Sequence, residues 1–253
     1  MRVRIQVRLL VVLAVAAGFL ALGPVGSSGA ETNGTMVVFG DSVASGARCG
    51  CTPFPVLYAT KVASHTRRHV RMINDAVSGA TSATVLQAVE HGSQRAAVSA
   101  SGTVLLMIGA NDFLGPFNSV LAHRQDSYDA YRPAAGRVRA NVTATIRAIR
   151  ALRPGVRIVV AGYWNVVRDG RVGRSQYGAW GMRKALLATH WANRAIYRAA
   201  VASRVAFVST LVGFKGIHRD HDPTWLLAPD GDHPNARGHA EIADQFFRAA
   251  PVG

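Results

Sequence analysis

Acidic residues and cysteines are what this sequence has least of. Only 14 Asp and Glu stand against 29 Lys and Arg, for a formal net charge of +15. That balance raises the question of nucleic acid, yet the arginines are scattered along predicted helices such as 137–153 and 183–204, with no basic platform interleaved with aromatics. A solvated basic face accounts for them, and nucleic acid is not an expected partner. For an exported protein the charge would instead suit anionic wall polymers or lipid head groups. Cys49 and Cys51 are the only cysteines, too few ligands to make a metal site by themselves. A Gly-x-x-x-x-Gly-Lys-Ser/Thr phosphate loop is missing, so nucleotide hydrolysis has no support. No linker divides the chain, and the apolar run Leu9 to Leu22 is short for a membrane span.

That run has another use. Arg2, Arg4 and Arg8 precede it, and the small, polar, turn-forming stretch Gly23 to Ala30 follows, the pattern of a secretory signal over residues 1–30 cleaved near Ala30. An uncleaved anchor is the alternative, and either one puts the body of the protein outside the cytoplasm. Loss of the three leader arginines lowers the net charge from +15 to +12. Residues 31–253 are enough for one domain with a substantial core, expected to be a monomer. Strand-like segments near 36–39, 70–74, 103–108, 156–161 and 205–208 alternate with helical patterns near 54–66, 82–99, 134–152, 175–203 and 236–249. Such alternation predicts an α/β fold, a parallel sheet covered by helices on both faces. Sites in such folds gather at the carboxyl ends of the strands.

Three segments with chemical content fall at such ends. Met36-Val37-Val38-Phe39 stops at Gly40-Asp41-Ser42; Ile73-Asn74-Asp75 leads to Ser78-Gly79; Val104 to Ile108 empties into Gly109-Ala110-Asn111-Asp112. A fourth, Asp230-Gly231-Asp232-His233-Pro234, lies near the C-terminus. A serine hydroxyl needs a base to become a nucleophile, and a histidine is a dependable base when a carboxylate fixes its tautomer. An acid three residues before a histidine can fold back onto Nδ1 and leave Nε2 for the serine, which selects Asp230 over Asp232; the latter is expected to be a loop or surface carboxylate. Each segment also has a plain structural reading. Ser42 could cap a helix, Asn111 could do the same, and Asp230-Gly231 could be a turn before an Asn-capped helix. The Ser, Asp, His order is shared with the α/β-hydrolases, but their Gly-x-Ser-x-Gly elbow is missing, since Ala44 stands two residues after Ser42.

With these four segments in this order, the chain resembles the SGNH hydrolases, the GDSL-type esterases and lipases, over essentially its whole exported length. The resemblance implies a three-layer α/β/α, flavodoxin-like fold with a central parallel sheet and a triad of Ser42, Asp230 and His233. It also implies an oxyanion hole from Ser42, Gly79 and Asn111, an acyl-enzyme intermediate, and neither cofactor nor metal. The family's leucine after the serine is replaced by Val43, a residue that should pack rather than react. The implied substrate is a small-molecule, lipid or carbohydrate ester. No Leu- or Phe-rich lid stands out, which favours a secreted esterase or lipase of modest chain length, with a carbohydrate O-acetyl esterase as the alternative. A non-catalytic, basic wall-binding protein is the reading from another class, and the intact Ser42, Asn111, Asp230 and His233 speak against it.

Cys49 and Cys51, close after the nucleophile, are expected to close a disulfide that stiffens that loop in an oxidising compartment, although so small a ring is strained. Free thiols or a redox pair are the alternatives. His218-Arg219-Asp220-His221-Asp222 is the one segment that looks like metal chemistry, and it is read as a polar loop. Trp180 and Trp191 are expected to pack on a helix, Trp164 and Trp225 to occupy loops lining a groove.

Overall fold

Near-continuous apolar runs are what strands buried on both faces require, and Thr35–Gly40 is one: five of its six residues are buried. The computed structural model describes residues 34–250; the expected leader lies outside them. Along the chain the elements are β1 (Thr35–Gly40), α1 (Ser42–Ser45), α2 (Phe54–Thr66), β2 (Arg71–Asn74), α3 (Ser82–His91), α4 (Arg95–Ser99), β3 (Thr103–Met107), α5 (Leu114–Ala122), α6 (Arg132–Leu152), β4 (Arg157–Ala161), α7 (Gly170–Ala202), β5 (Ala206–Val208), α8 (Leu211–Lys215) and α9 (Ala236–Ala249). The strands form one parallel sheet in the order β2-β1-β3-β4-β5. The α/β expectation therefore holds.

Differences from the sequence reading have local causes. The helix expected over 82–99 breaks at Gly92, whose extended backbone (ψ 169°) ends α3, and the chain re-enters helix as α4. α7 starts at Gly170, where the Asp169 side chain accepts from the Gly170 N–H, and it kinks at Gly178 (φ 61°). α5 is not among the expected helices; Pro116 falls in its first turn, where the missing N–H would be unpaired anyway.

Right-handed crossovers place α2 and α9 on one face of the sheet and α3, α6 and α7 on the other. The packing agrees: α2 lies against α9, and α6 against both α3 and α7. From β1 the chain turns to one side to make β2, then crosses back to make β3 on the other side. That reversal opens a crevice between the carboxyl ends of β1 and β3, which finish level with each other because Gly40 pairs with Met107.

Gly40 is glycine for a steric reason. A Cβ there would lie 2.6 Å from the Ala44 Cβ and 2.7 Å from the Met107 carbonyl oxygen, so its absence lets α1 turn back tightly over the strand end. Gly136, in the exposed face of α6, would meet nothing within 4 Å. Gly40→Ala is expected to cost about 1–3 kcal/mol through overpacking, whereas Gly136→Ala should stabilise by up to about 1 kcal/mol through helix propensity. Urea unfolding of the two variants checks both signs.

Candidate active site

Ser42 is the first residue of α1, and the residue before it does the capping. Asp41 is extended (φ −103°, ψ −153°) and its Oδ1 accepts from the Val43 N–H at 3.0 Å. Its own N–H donates to Met107 O, at the end of β3, at 3.3 Å, and the Tyr163 hydroxyl, beyond the end of β4, donates to its Oδ2. Ser42 itself is half-buried, and its N–H donates to no protein acceptor among the described residues.

Asp230 and His233 come from a loop closed by its own hydrogen bonds. Ala228 N–H donates to His233 O at 2.8 Å, and Gly231 N–H to Ala228 O at 2.9 Å. Asn235 caps α9 by accepting from the Arg237 and Gly238 N–H groups, while its amide donates to Trp225 O and Leu227 O. The helix-capping role foreseen for an asparagine after Asp230-Gly231 and the catalytic pattern thus coexist. Gly231 has φ +70°, and a Cβ on it would lie 2.5 Å from the Val172 Cβ. Its carbonyl accepts from Asp169 N–H at 2.7 Å, so the start of α7 braces the loop; Asp169 in turn pairs with the buried Lys215.

Within this loop His233 Nδ1 and Asp230 Oδ2 are 2.7 Å apart, and Asp230 Oδ1 accepts from the N–H groups of Asp232 (3.0 Å) and His233 (3.1 Å). Donating Nδ1–H to the carboxylate leaves Nε2 as a free acceptor. Desolvation opposes the Asp230 charge, but those hydrogen bonds outweigh it and hold the carboxyl below its ordinary range. Asp232 is exposed overall, as expected of a loop carboxylate, yet it lines the crevice, where desolvation raises its carboxyl. It makes no hydrogen bond to the imidazole.

The other two segments are bolted together. Val77 to Ala80 form a turn closed by Ala80 N–H donating to Val77 O at 3.0 Å, with Gly79 at φ +81° in open space, so glycine is needed there for backbone freedom alone. Asn111 Nδ2 donates to Ala80 O at 2.9 Å. Asp112, next to it, accepts from Ser82 N–H at 2.8 Å and Ser82 Oγ at 2.7 Å at the start of α3. Gly79 N–H donates to nothing among the described residues.

Ser42, Asn111 and His233 line one slot of about 30 Å³ together with Asp41, Val43, Trp164, Asn165 and Val166. Ser42 and His233 share it without a hydrogen bond between them; such contacts are often long without substrate. Gly79 sits on the adjoining turn and is not in the lining. On the His233 side, a groove of about 430 Å³ is lined by Arg48, Arg168, Asp230 and Asp232. An apolar groove of about 480 Å³ beside α7 and β5, with His190 and Ser209 in its lining, has no carboxylate to orient that histidine.

Sequence reasoning missed Tyr163, Asp112 and Asn165, because their hydrogen bonds to Asp41, Ser82 and Thr189 span 122, 30 and 24 residues and leave no local pattern. Trp164 is buried and stacked on Phe214 at 4.1 Å while lining the slot, Trp191 is buried on α7, and Trp225 is exposed. Cys49 and Cys51 have Cα atoms 5.0 Å apart, within bridging reach. The 218–222 segment is a loop whose Asp222 pairs with Arg174 at 2.7 Å; its histidines form no metal-like cluster among the described residues.

Burial pushes the Asp41 carboxyl up to about 6, against the pull of Tyr163 and Val43. A pKa raised from 3.8 gives stability that is fully present below the unfolded value and lost as pH rises through about 6. His239, whose ring burial pushes down to about 4, works oppositely, losing stability as pH falls from 6.5, so a difference between variants isolates Asp41. Relative to Asp41→Asn, the wild type should lose about 2 kcal/mol between pH 4 and pH 7. Chemical denaturation across that range checks this, and a constant difference contradicts it.

The GDSL-like Lipase/Acylhydrolase family matches residues 38–241. Solved structures agree at the level of the fold. A lipase from a goat rumen metagenome superposes with TM-score 0.68 at 18% identity, covering 85% of this chain and 97% of its own. An acetylxylan esterase from Geobacillus stearothermophilus does so with TM-score 0.59 at 18% identity, covering 87% and 94%. A putative GDSL-like lipase from Parabacteroides merdae gives TM-score 0.59 at 16% identity, covering 85% and 94%. No curated protein matches the chain. With the family matched across most of its length and the SGNH α/β sheet in place, the chain belongs to the GDSL-like lipase/acylhydrolases and is a carboxylic ester hydrolase.

Proposed function

We propose that the protein is an exported serine esterase that cleaves short-acyl esters through Ser42, His233 and Asp230. The observation that carries this reading is the 2.7 Å pairing of His233 Nδ1 with Asp230 on a loop lining the same slot as Ser42. His233 Nε2 takes the hydroxyl proton as Ser42 Oγ attacks the ester carbonyl. The unpaired N–H groups of Ser42 and Gly79 and the second N–H of Asn111 Nδ2 receive the oxyanion. Collapse expels the alcohol, protonated by His233, and leaves an acyl-Ser42 ester; water activated by the same imidazole then releases the acid. The basic leader and excess positive charge support export and contact with an anionic wall, with the protein acting as a monomer.

The slot of about 30 Å³ suits a short acyl group, and the wider groove carrying Arg48, Arg168 and Asp232 suits a polar alcohol portion. Those features favour a carbohydrate O-acetyl ester as the second reading. A panel of p-nitrophenyl esters should show kcat/KM greatest at acetate to butyrate. Preference for decanoate or longer would contradict the short-acyl assignment, and deacetylation of xylan would establish the carbohydrate one.

Ser42→Ala should lower kcat by about 10,000-fold or more with unchanged unfolding, and His233→Ala similarly. Asn111→Ala should lower kcat by about 100- to 1,000-fold with little change in KM, since the carbonyl oxygen becomes fully charged only on the way to the tetrahedral intermediate. Asp230→Asn should be more damaging than Asp232→Asn. The reverse order would reassign the acid.

A further inference from the structure

Among the buried polar atoms without a hydrogen-bond partner in the described residues, His239 Nε2 belongs to a ring that lies beside two sulfurs. His239, in the first turn of α9, is fully buried. Its Nδ1 accepts from the Phe54 N–H at 3.1 Å, which puts the ring proton on Nε2, and Nε2 has no hydrogen-bond partner. One of the ring nitrogens and the sulfurs of Cys49 and Cys51 all lie within 4.8 Å of one another. Two sulfurs and an imidazole resemble part of a metal site, but Nδ1 is already used as an acceptor and Nε2 carries the proton. Neither nitrogen has a lone pair to give a cation, whereas Nε2–H is a donor suited to a thiolate.

The neighbouring backbone gives this pair a lever. Arg48 and Gly50 both adopt left-handed conformations (φ 62° and 57°), which a non-glycine residue holds only when its surroundings impose it. Cys49 and Cys51 sit on either side of Gly50, and Arg48 lines the groove that contains Asp230, Asp232 and His233.

We propose that Cys49 and Cys51 form a reversible thiol–disulfide site in which His239 Nε2–H donates to the departing sulfur, and whose oxidation state sets the position of Arg48 at the mouth of the catalytic slot. In reduction, an external thiolate attacks one sulfur of the bridge. The S–S bond breaks, a mixed disulfide forms, and the released cysteine leaves as a thiolate that accepts from His239. A second external thiolate attacks the mixed disulfide, so two low-molecular-weight thiols become one disulfide and the protein gains two electrons and two protons as two thiols. In the oxidised form the buried N–H has no hydrogen-bond partner among the described residues, an unsatisfied donor that a thiolate relieves. Stabilising the reduced form makes a disulfide more oxidising, the property of labile rather than structural bridges. Opening the small ring frees Arg48 from its left-handed conformation. The effect on turnover rests on the hydrolase reading of the slot; the thiol chemistry does not.

Folded protein equilibrated in mixtures of reduced and oxidised glutathione, then quenched and counted for thiols by mass, should pass from zero to two thiols within the series. A bridge that stays closed in excess reduced glutathione, or a pair that stays as thiols in excess oxidised glutathione, overturns the proposal, as does stoichiometric zinc retained after chelation. Reduced wild type should react with iodoacetamide at pH 7 about fivefold faster than glutathione does, consistent with a lowered thiol pKa. His239→Leu should abolish that advantage, and His239→Gln, which keeps an acceptor for Phe54 and a donor for sulfur, should restore part of it. If the leucine variant does not fold, the wild-type comparison decides, and a rate no faster than glutathione's sinks the role of His239. Ester hydrolysis should change about threefold or more on reduction, return on reoxidation, and become insensitive in the Cys49→Ser/Cys51→Ser double variant. An unchanged rate despite complete reduction would leave the thiol site standing and overturn its coupling to Arg48.

Discussion

One buried carboxyl ties three strand ends together. Asp41 follows β1, its N–H reaches the last carbonyl of β3, and its side chain accepts from Tyr163 beyond β4 while capping the helix that begins with Ser42. A capped N-terminus leaves the next N–H free, and here that N–H belongs to Ser42, the proposed nucleophile. Burial makes the arrangement costly when ionised, which is why the Asp41 carboxyl is pushed up to about 6. Gly40 allows it sterically, since any Cβ would drive α1 off the strand.

The same economy recurs around the slot: each residue with a chemical part is held by a neighbour with a structural one. Asn111 is followed by Asp112, which grips Ser82 and so fixes the Gly79 turn against the end of β3. His233 follows Gly231, whose carbonyl is held by Asp169 at the start of α7. Asn235 closes the loop on one side and starts α9 on the other. The ends of β1, β3 and β4 and the turn after β2 are thus tied to one another by short polar contacts, and the loop of His233 is tied to the starts of α7 and α9. Preorganisation of this kind is what electrostatic stabilisation of an oxyanion needs.

Much of this was legible in the sequence because it is local. Period and apolar runs located all five strands, and the Asp-x-x-His spacing predicted the Asp230–His233 contact. Helix ends were less legible where one glycine decided them: Gly92 split a predicted helix, and Gly178 kinked another without ending it. α5, with Gly115 and Pro116 in its first turn, is not among the predicted helices. Contacts between distant positions left no trace in the sequence. Tyr163 with Asp41, Asn141 with Ser82, and His239 with Phe54 span 122, 59 and 185 residues, and no spacing rule connects them. Asp232 was half legible: it is exposed, as a loop carboxylate should be, but its side chain adds charge to the slot.

The central claim is that Ser42 Oγ is the atom that becomes acylated. Incubation of folded protein with a fluorophosphonate, followed by peptide mass mapping, tests it without any knowledge of the natural ester. A single stoichiometric adduct on Ser42, lost in His233→Ala, is the expected result. An adduct on another residue, or none on a folded wild type that hydrolyses p-nitrophenyl acetate, would contradict the account.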